Sequence, residues 1–259
     1  MTTGTVSLER RGHVLLMGLD RVAKRNAFDL PLWDALCRAY GELDRDDDLR
    51  VGVLHAHGAH FTGGLELPQW APVFASGRWH VVEGGLDPLG LTGPRVRKPV
   101  VAAIAGTCLT IGIELALATD LRIAGADARF GQIEIQRGIY PVGGATLRFP
   151  RECGWANAMR WLLTGDWFDA AEALRIGLVQ EVTAEAPLAR AVALAERIAA
   201  AAPLGVYATL ASSRAGLAAA EAEAAARLMP DLQPLLASDD MQEGLRAFAA
   251  RQPGTFTGR

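Results

Sequence analysis

The sequence predicts a mixed α/β fold that is followed by a helical region at the C-terminus. Short apolar runs alternate with segments of helical spacing as far as about residue 185. Glycine-containing loops follow several of these runs, and the chain becomes alanine-rich from Pro187 onward. Strand–helix units that recur at a coarse spacing are typical of stacked βα turns. We therefore divide the chain into a core, 1–185, and a helical C-terminal region, 186–259.

Each element of the core follows from its own residue pattern. Uneven alternation over 5–19 predicts two short strands joined at Arg11-Gly12, and apolar residues at helical spacing predict a helix over 30–44. A short strand over 51–55 leads into a glycine-rich loop, 58–64. The predicted order continues with a helix at 67–74, a long loop at 75–97, strands at 100–104, 121–124 and 130–135, and helices from 112, at 156–163 and at 170–176.

The C-terminal region is predicted to contain helices alone. Pro187 suits the first turn of a helix that extends to Pro203. Helical spacing then predicts further helices over 204–215, 218–228 and 241–250.

One apolar stretch, 100–119, is nearly long enough to span a bilayer. Glu114 lies inside it, and Gly106 and Gly112 interrupt it. A charged residue is costly within a bilayer. We therefore interpret the stretch as a buried strand, a turn and a buried helix, and predict no membrane partner.

Composition and charge exclude several classes of protein. Of 259 residues, 50% are hydrophobic and 21% are charged, which is a globular profile. The net charge of -3 argues against a nucleic-acid partner, because such domains carry a basic field. Three cysteines without a CxxC pair favour a reducing compartment over a disulfide framework. The first twelve residues lack the apolar core of an export signal, so we expect a cytoplasmic protein.

Several common catalytic motifs are absent from the sequence. It contains no GxSxG, GxxxxGK[ST] or GxGxxG pattern, which argues against a serine hydrolase, a P-loop enzyme and a Rossmann dehydrogenase. His55, His57 and His60 form an HxHxxH cluster that is conceivable as a metal site. No carboxylate or cysteine stands at ligand spacing. We therefore interpret these histidines as the rim of a turn and predict no metal.

Two loops share a pattern that is relevant to catalysis. The segments HFTGGLEL, 60–67, and GTCLTIGIEL, 106–115, each follow a predicted strand and precede a predicted helix. Backbone N–H groups at a helix start are unpaired and face the positive end of the helix dipole. Two such groups that converge on one point would form an oxyanion hole. Taken alone, the pattern fits two ordinary strand-to-helix turns better.

Blocks along nearly the whole chain resemble the crotonase (enoyl-CoA hydratase) superfamily. The central block is KPVVAAIAGTCLTIGIELALATDLRIAG, and ARFGQIEIQRGIYPVGGATLRFPRECG and LTGDWFDAAEALRIGLVQEV follow it. The early segments KRNAF and FTGGLEL also fit. The resemblance implies a crotonase-like ββα spiral core and a C-terminal helical region that trimerises. It further implies a homotrimer or a dimer of trimers.

The resemblance also implies roles for particular residues. The two glutamates of the hydratases fall on Glu114 and Glu134, and the backbone N–H groups of the oxyanion hole fall on Leu65 and Ile111. Lys24, Arg25 and Ala27 match the segment that lies along the adenine and phosphates of coenzyme A. Phe248 and Arg251 match positions that touch the coenzyme from a neighbouring subunit.

Two features depart from the family pattern. The usual triple glycine reads Thr110-Ile111-Gly112. A β-branched residue resists positive φ and adds bulk near the thioester. The usual aspartate after the first loop is Glu66. In addition, Trp70, Phe74 and Trp79 suggest a bulky apolar acyl pocket, although core packing explains them equally well.

The expected activity is hydration of a 2-enoyl-CoA thioester through an enolate that the oxyanion hole stabilises. The partner is an acyl-CoA thioester, so coenzyme A enters with the substrate and no separate cofactor is expected. Two alternatives remain open. A crotonase-fold isomerase would need mainly one glutamate, and a non-catalytic acyl-CoA-binding protein would need neither.

Overall fold

The computed structural model describes residues 3–252, 254 and 255, with the backbone alone for 218–224. The strands are β1 (Thr5–Arg11), β2 (Val14–Asp20), β3 (Val51–Ala56), β4 (Val100–Ile104), β5 (Thr107–Leu109), β6 (Leu121–Gly125), β7 (Arg129–Gly131), β8 (Trp167–Asp169) and β9 (Glu181–Thr183). A six-stranded sheet has the order β1-β2-β3-β4-β6-β9, and a three-stranded sheet has the order β5-β7-β8. This α/β architecture with a helical C-terminal part confirms the predicted fold class.

The six-stranded sheet is parallel except at its first edge. β1 and β2 form the predicted hairpin, and Gly12 takes a φ of 55° in the turn between them. The remaining neighbours pair in parallel. Strands in a parallel sheet are buried on both faces. Accordingly, all of β4 and five of the six residues of β3 are buried.

The helices are α1 (Leu30–Arg45), α2 (Leu67–Ser76), α3 (Ile111–Ala118), α4 (Ala145–Cys153), α5 (Trp155–Thr164), α6 (Ala170–Arg175), α7 (Pro187–Ala199), α8 (Pro203–Leu236) and α9 (Asp239–Ala250). Asp29 caps α1 by accepting a hydrogen bond from the N–H of Leu32 at 2.9 Å. Short 3-10 helices cover Val22–Lys24 and Glu134–Arg137.

Three of the predictions of secondary structure were wrong. The separate helices at 204–215 and 218–228 are one helix of 34 residues, which continues past Gly216 and contains Pro230 and Pro234. The helix α4 was missed, because Pro150 inside it and the two glycines before it are turn signals. The extended segment at 130–135 ends at Gly131, and Glu134 begins a 3-10 helix instead.

The apolar stretch at 100–119 folds as predicted into buried elements, with β5 as an additional strand at the turn. No single helix in the described ranges is long and apolar enough to cross a membrane. Among the described residues, only α7 and Pro203–Leu217 taken together have the length and apolar composition of a membrane span, and a bend of 106° separates them.

The core lies on both faces of the six-stranded sheet. The smaller cluster packs α7 against alternate residues of the parallel strands, including Val14, Leu16, Val53, Val101 and Ile123. The larger cluster lies on the other face and includes α1, α3 and Leu228, Met229 and Leu232 of α8. The C-terminal helical region therefore shares the core of the preceding 185 residues and closes over it.

Candidate active site

A cavity of about 660 Å³ lies where the loops after β3 and β5 meet the 3-10 helix Glu134–Arg137. Glu114 and Glu134 both line it, and so do Leu65 and Ile111. Much of the remaining wall is apolar. The structure thus brings together in one cavity four residues that are far apart in the sequence.

The two loops with the shared sequence pattern lie side by side. Thr62 donates its N–H to the carbonyl of Thr107 at 3.0 Å, and its own carbonyl accepts from the N–H of Leu109 at 3.1 Å. Thr62 and Cys108 form a parallel β-bridge. Because these bonds hold the loops together, Leu65 and Ile111 reach the same wall of the cavity.

The backbone N–H groups of Leu65 and Ile111 are available to a ligand. Neither donates a hydrogen bond to any other group within the described ranges. Ile111 is the first residue of α3, where the N–H has no partner inside the helix. Ile111 is buried in the core and lines the cavity.

The positive φ expected at this turn falls on Thr110 instead of Ile111. Thr110 has a φ of 51° and precedes the helix, whereas Ile111 is helical. The facing loop has Gly64 with a φ of 105°, and a Cβ placed there would lie 2.8 Å from the Thr110 hydroxyl oxygen. The departure from the family glycines therefore places a hydroxyl between the two loops.

Glu114 is buried in the first turn of α3 and is held by backbone donors. Its Oε1 accepts from the N–H of Gly143 at 2.7 Å and from that of Ala145 at 3.2 Å. A Cβ on Gly143 would lie 2.4 Å from Glu114 Oε2, so only glycine allows this approach. Burial raises the pKa of Glu114 to about 7, against the two N–H donors and the Arg148 guanidinium, which lower it.

Glu134 is less well supported as an anion. Its Oε1 accepts from the Gln132 side-chain amide at 2.9 Å, and its Oε2 has no hydrogen-bond partner in the part of the chain described. Burial and then the Glu114 carboxylate raise the pKa of Glu134 well above its ordinary value. Two backbone N–H groups donate to the Glu114 carboxylate, whereas among the described residues only the Gln132 side chain donates to Glu134 from another residue. We therefore infer that Glu114 loses its proton first.

The segment Lys24 to Ala27 is shaped by buried polar contacts. The Asn26 side-chain amide donates to the carbonyls of His57 and His60, at 2.9 and 2.7 Å. The Arg25 carbonyl accepts from the N–H of Gly63 at 2.8 Å, which ties this segment to the first loop. Lys24 and Arg25 line the cavity with exposed side chains. Ala27 does not line it.

The departure at Glu66 has a structural partner. The buried Arg21 guanidinium contacts Glu66 at 2.7 Å and Asp29 at 3.1 Å, and it donates to the Ala27 carbonyl at 2.9 Å. Glu66 is thus part of an ion-pair network that connects the first loop to the segment before α1. The longer side chain is used to reach Arg21.

Phe248 lies at the cavity of its own chain. Its ring is 59% exposed, and the Arg137 guanidinium carbon lies 4.2 Å from the ring centroid. Arg251 does not line the cavity but an adjoining recess, which Arg137 and Phe248 also border. The resemblance implied that these positions reach the coenzyme of a neighbouring subunit. In the single chain, α9 packs beside Glu134–Arg137 and Phe248 lines the cavity, so the contact with a neighbouring subunit stays a prediction.

The three aromatic residues that suggested an acyl pocket have different positions. Phe74 and Trp79 line the cavity. Trp70 is fully buried behind them, with its ring centroid 5.7 Å from that of Trp79. Trp70 therefore belongs to the core.

Several cavity residues were missed by sequence reasoning. The glutamates accept hydrogen bonds from Gln132 and Gly143, and the cavity is also lined by Arg137 and Tyr140. The spacing of these residues in the sequence does not indicate such roles. Leu232 closes the cavity from α8. Long-range packing brings it there, and a local pattern cannot reveal that.

The three histidines make ordinary contacts, and the rings of His55 and His57 pack edge to face with centroids 5.4 Å apart. The His57 ring lies 2.7 Å from the Ser7 hydroxyl, and His60 Nδ1 accepts from the N–H of Thr107 at 3.2 Å. In the described residues, no group of three or more His, Cys, Asp or Glu side chains is arranged to hold a metal ion.

Comparison with known proteins identifies the family of the chain. The enoyl-CoA hydratase/isomerase family matches residues 9–259. Enoyl-CoA hydratase EchA19 of Mycobacterium tuberculosis is 36% identical, over 97% of this chain and 96% of that protein.

Two solved structures are also similar. A probable enoyl-CoA hydratase/isomerase from Mycobacterium abscessus is 47% identical, with a TM-score of 0.81 and coverage of 98% of this chain and 99% of that one. Carnitinyl-CoA hydratase from Mycobacterium avium is 33% identical, with a TM-score of 0.86 and complete coverage of both chains. The chain belongs to the enoyl-CoA hydratase/isomerase family of enzymes, within the crotonase superfamily that its sequence resembles.

Proposed function

We propose that this enzyme adds water to the double bond of a 2-enoyl-CoA thioester. The observation that carries the proposal is the presence of two buried carboxyl groups with raised pKa values in one cavity with two free backbone N–H groups. Carboxyl groups whose environments separate their pKa values can divide acid and base work.

The thioester oxygen would bind between the N–H groups of Leu65 and Ile111. Addition of water to the β-carbon moves an electron pair through the conjugated system to this oxygen, which becomes an enolate. Preorganised donors stabilise that developing charge, and each can contribute about 3 kcal/mol. Loops held together by backbone hydrogen bonds keep such donors in place without reorganisation.

The two glutamates would divide the two proton transfers of the reaction. Glu114, which ionises first, takes a proton from water as the oxygen bonds to the β-carbon. Glu134, still protonated, delivers its proton to the α-carbon. One water is then added, and a proton must move from Glu114 to Glu134 to restore the enzyme.

Coenzyme A would be held at the mouth of the cavity. Lys24 and Arg25 offer exposed cations to its phosphates, and Phe248 and Arg251 offer a ring and a further cation nearby. In this proposal coenzyme A is part of the substrate, and no separate cofactor takes part. Buried free thiols at Cys37, Cys108 and Cys153 support a reducing, cytoplasmic location.

The proposal is tested by incubating the protein with a panel of 2-enoyl-CoA thioesters and following the conjugated enoyl absorbance. A hydratase removes this absorbance. Protein with both Glu114→Gln and Glu134→Gln serves as the control. A protein that leaves every 2-enoyl thioester unchanged, but creates the absorbance from 3-enoyl thioesters, would be an isomerase.

A further inference from the structure

Thr110 has a strained backbone. Its φ of 51° and ψ of -112° match a turn position that glycine usually occupies, and a β-branched side chain is poorly suited to it. The surrounding bonds maintain this conformation. The Thr110 N–H donates to Gly131 at 2.9 Å, and its carbonyl accepts from Ile113 at 2.9 Å and from Glu114 at 3.2 Å. Strain that the surrounding structure maintains is often associated with function.

The hydroxyl of Thr110 is not used by the fold. A threonine that precedes a helix commonly accepts a hydrogen bond from the first turn, yet Thr110 makes no such bond with α3. Nor does its hydroxyl bond to any other side chain or carbonyl among the described residues. Helix capping therefore does not explain the choice of threonine.

The Thr110 hydroxyl lies close to the residue that precedes each proposed oxyanion donor. Thr110 lines the cavity and immediately precedes Ile111. Its oxygen would be 2.8 Å from a Cβ on Gly64, and Gly64 immediately precedes Leu65. The hydroxyl is therefore close to the backbone that leads into both donors, at the cavity that Leu65 and Ile111 line.

We propose that the Thr110 hydroxyl is a third hydrogen-bond donor to the thioester oxygen. This inference rests on the proposed function, because it uses the same oxyanion position. A hydroxyl donates one proton and turns freely, so it can follow the oxygen as negative charge develops. A donor to an anion contributes more than a donor to a neutral carbonyl. The hydroxyl therefore stabilises the enolate more than the bound substrate.

Three substitutions separate the hydroxyl from the shape of the side chain. Thr110→Val keeps the β-branched shape and removes the donor, so kcat should fall by about 10-fold to 100-fold with little change in KM. Thr110→Ser should recover most of this loss. Thr110→Gly relaxes the backbone, so it should keep or raise Tm while losing activity as Thr110→Val does. The control Thr209→Val removes an exposed hydroxyl from α8 and should leave kcat unchanged.

A binding experiment tests the contact without turnover. The probe is the coenzyme A thioester of 4-(dimethylamino)cinnamic acid, whose absorption moves to longer wavelength when its carbonyl oxygen accepts hydrogen bonds. Wild type and Thr110→Ser should give the larger shift, and Thr110→Val and Thr110→Gly a smaller one. If the protein binds the probe but hydrates no enoyl thioester, the proposed function fails while the shifts still test the contact. Equal shifts in wild type and Thr110→Val, or full activity in Thr110→Gly, would overturn the inference.

Discussion

Glu114 and Glu134 show how the surroundings of a residue distinguish two identical side chains. Both are buried at the same cavity, which raises the pKa of each. Gly143 and Ala145 donate to Glu114, while Glu134 accepts from the Gln132 side chain. This difference in donors separates the proposed base from the proposed acid.

The two glutamates should act as one unit in kinetics. Glu114→Gln and Glu134→Gln each keep the size of the side chain and remove its acid–base function. Either change should lower kcat on one enoyl thioester by at least about a hundredfold. The double variant should lose far less than the product of the two losses. If Glu134→Gln turns over like wild type, the role proposed for Glu134 is wrong.

The same burial should lower stability as the pH rises. With the pKa of Glu114 raised from 4.5 to about 7, the folded chain binds more protons than the unfolded chain within that window, so unfolding becomes easier as pH increases through it. The pKa of Glu134 is shifted in the same direction. Glu134→Gln removes the contribution of Glu134 to this loss of stability at high pH. It should match wild type near pH 4.5 and melt higher at pH 8 by at least about 2 °C.

Calorimetric melting at several pH values measures this difference. Glu243→Gln is the matched control, because its Arg246 partner lowers the pKa of Glu243 to about 2. A lowered pKa stabilises the folded state above the ordinary value, so this change should not raise Tm at pH 8. Equal Tm values of wild type and Glu134→Gln at pH 8 would contradict the prediction.

At the scale of elements, catalysis is expected to depend on how two loops are joined. The hydrogen bonds between Thr62 and β5 hold together the two loops that lead to Leu65 and Ile111, and both of these residues line the cavity. The groups offered there are backbone N–H groups, so the identity of the side chains at Leu65 and Ile111 matters less than the loop conformation. This explains how a family glycine can be replaced by isoleucine.

Proline at position 111 should remove one donor and retain the helix. Proline is tolerated at the first helical position, because the N–H there makes no helical bond. Ile111→Pro should therefore lower kcat by about a hundredfold or more. Ile111→Ala, which also loses the buried side chain, should lower Tm but keep most of the turnover. Circular dichroism checks the fold, and equal kcat for the two variants would contradict the backbone role.

Cations near the cavity mouth should contribute to coenzyme A binding. Lys24→Ala and Arg251→Ala should each weaken acyl-CoA binding by about fivefold at low salt, or about 1 kcal/mol, and by less at high salt. Titration calorimetry at two salt concentrations measures this. Arg246→Ala is the control on α9, since Arg246 pairs with Glu243 instead of lining the cavity or the recess. Affinity that is unchanged at both salt concentrations would count against the assignment.

For the whole molecule, the C-terminal helices complete the cavity. Leu232 of α8 and Phe248 of α9 line it, and Tyr140 donates its hydroxyl to the Leu228 carbonyl at 2.6 Å. A chain lacking these helices would leave this side of the cavity open to solvent. The helical region is thus part of the site as well as the proposed trimerisation region.

The whole molecule is proposed to form a homotrimer or a dimer of trimers. Large apolar side chains remain exposed on the isolated chain, including Trp155 at 72% and Leu204 at 81%. Packing of such side chains against a second copy of the chain would remove their apolar surface from water, which is favourable. Sedimentation equilibrium over a range of protein concentrations should give a mass of three or six chains. A stable monomer at all concentrations would refute the oligomer.

The sequence by itself determined most strands and helices, because local periodicity and turn residues decide them. It also identified the loop residues Leu65 and Ile111 and both glutamates as candidates, through motifs that resemble a known family. It failed where distant contacts override local signals. The 3-10 helix that contains Glu134 ends at Gly138, which has a φ of 72° and lies so close to Asp240 and Met241 of α9 that a Cβ would clash.

Only the tertiary structure decided which groups meet at the cavity and in what state. The strain at Thr110, the donors to Glu114 and the position of Phe248 in its own chain all depend on hydrogen bonds or packing between segments far apart in sequence. The raised pKa values likewise depend on burial, which is a property of the packed molecule. A sequence pattern can indicate which residues carry chemistry, but the free energy of their charges is set by the atoms that the fold places around them.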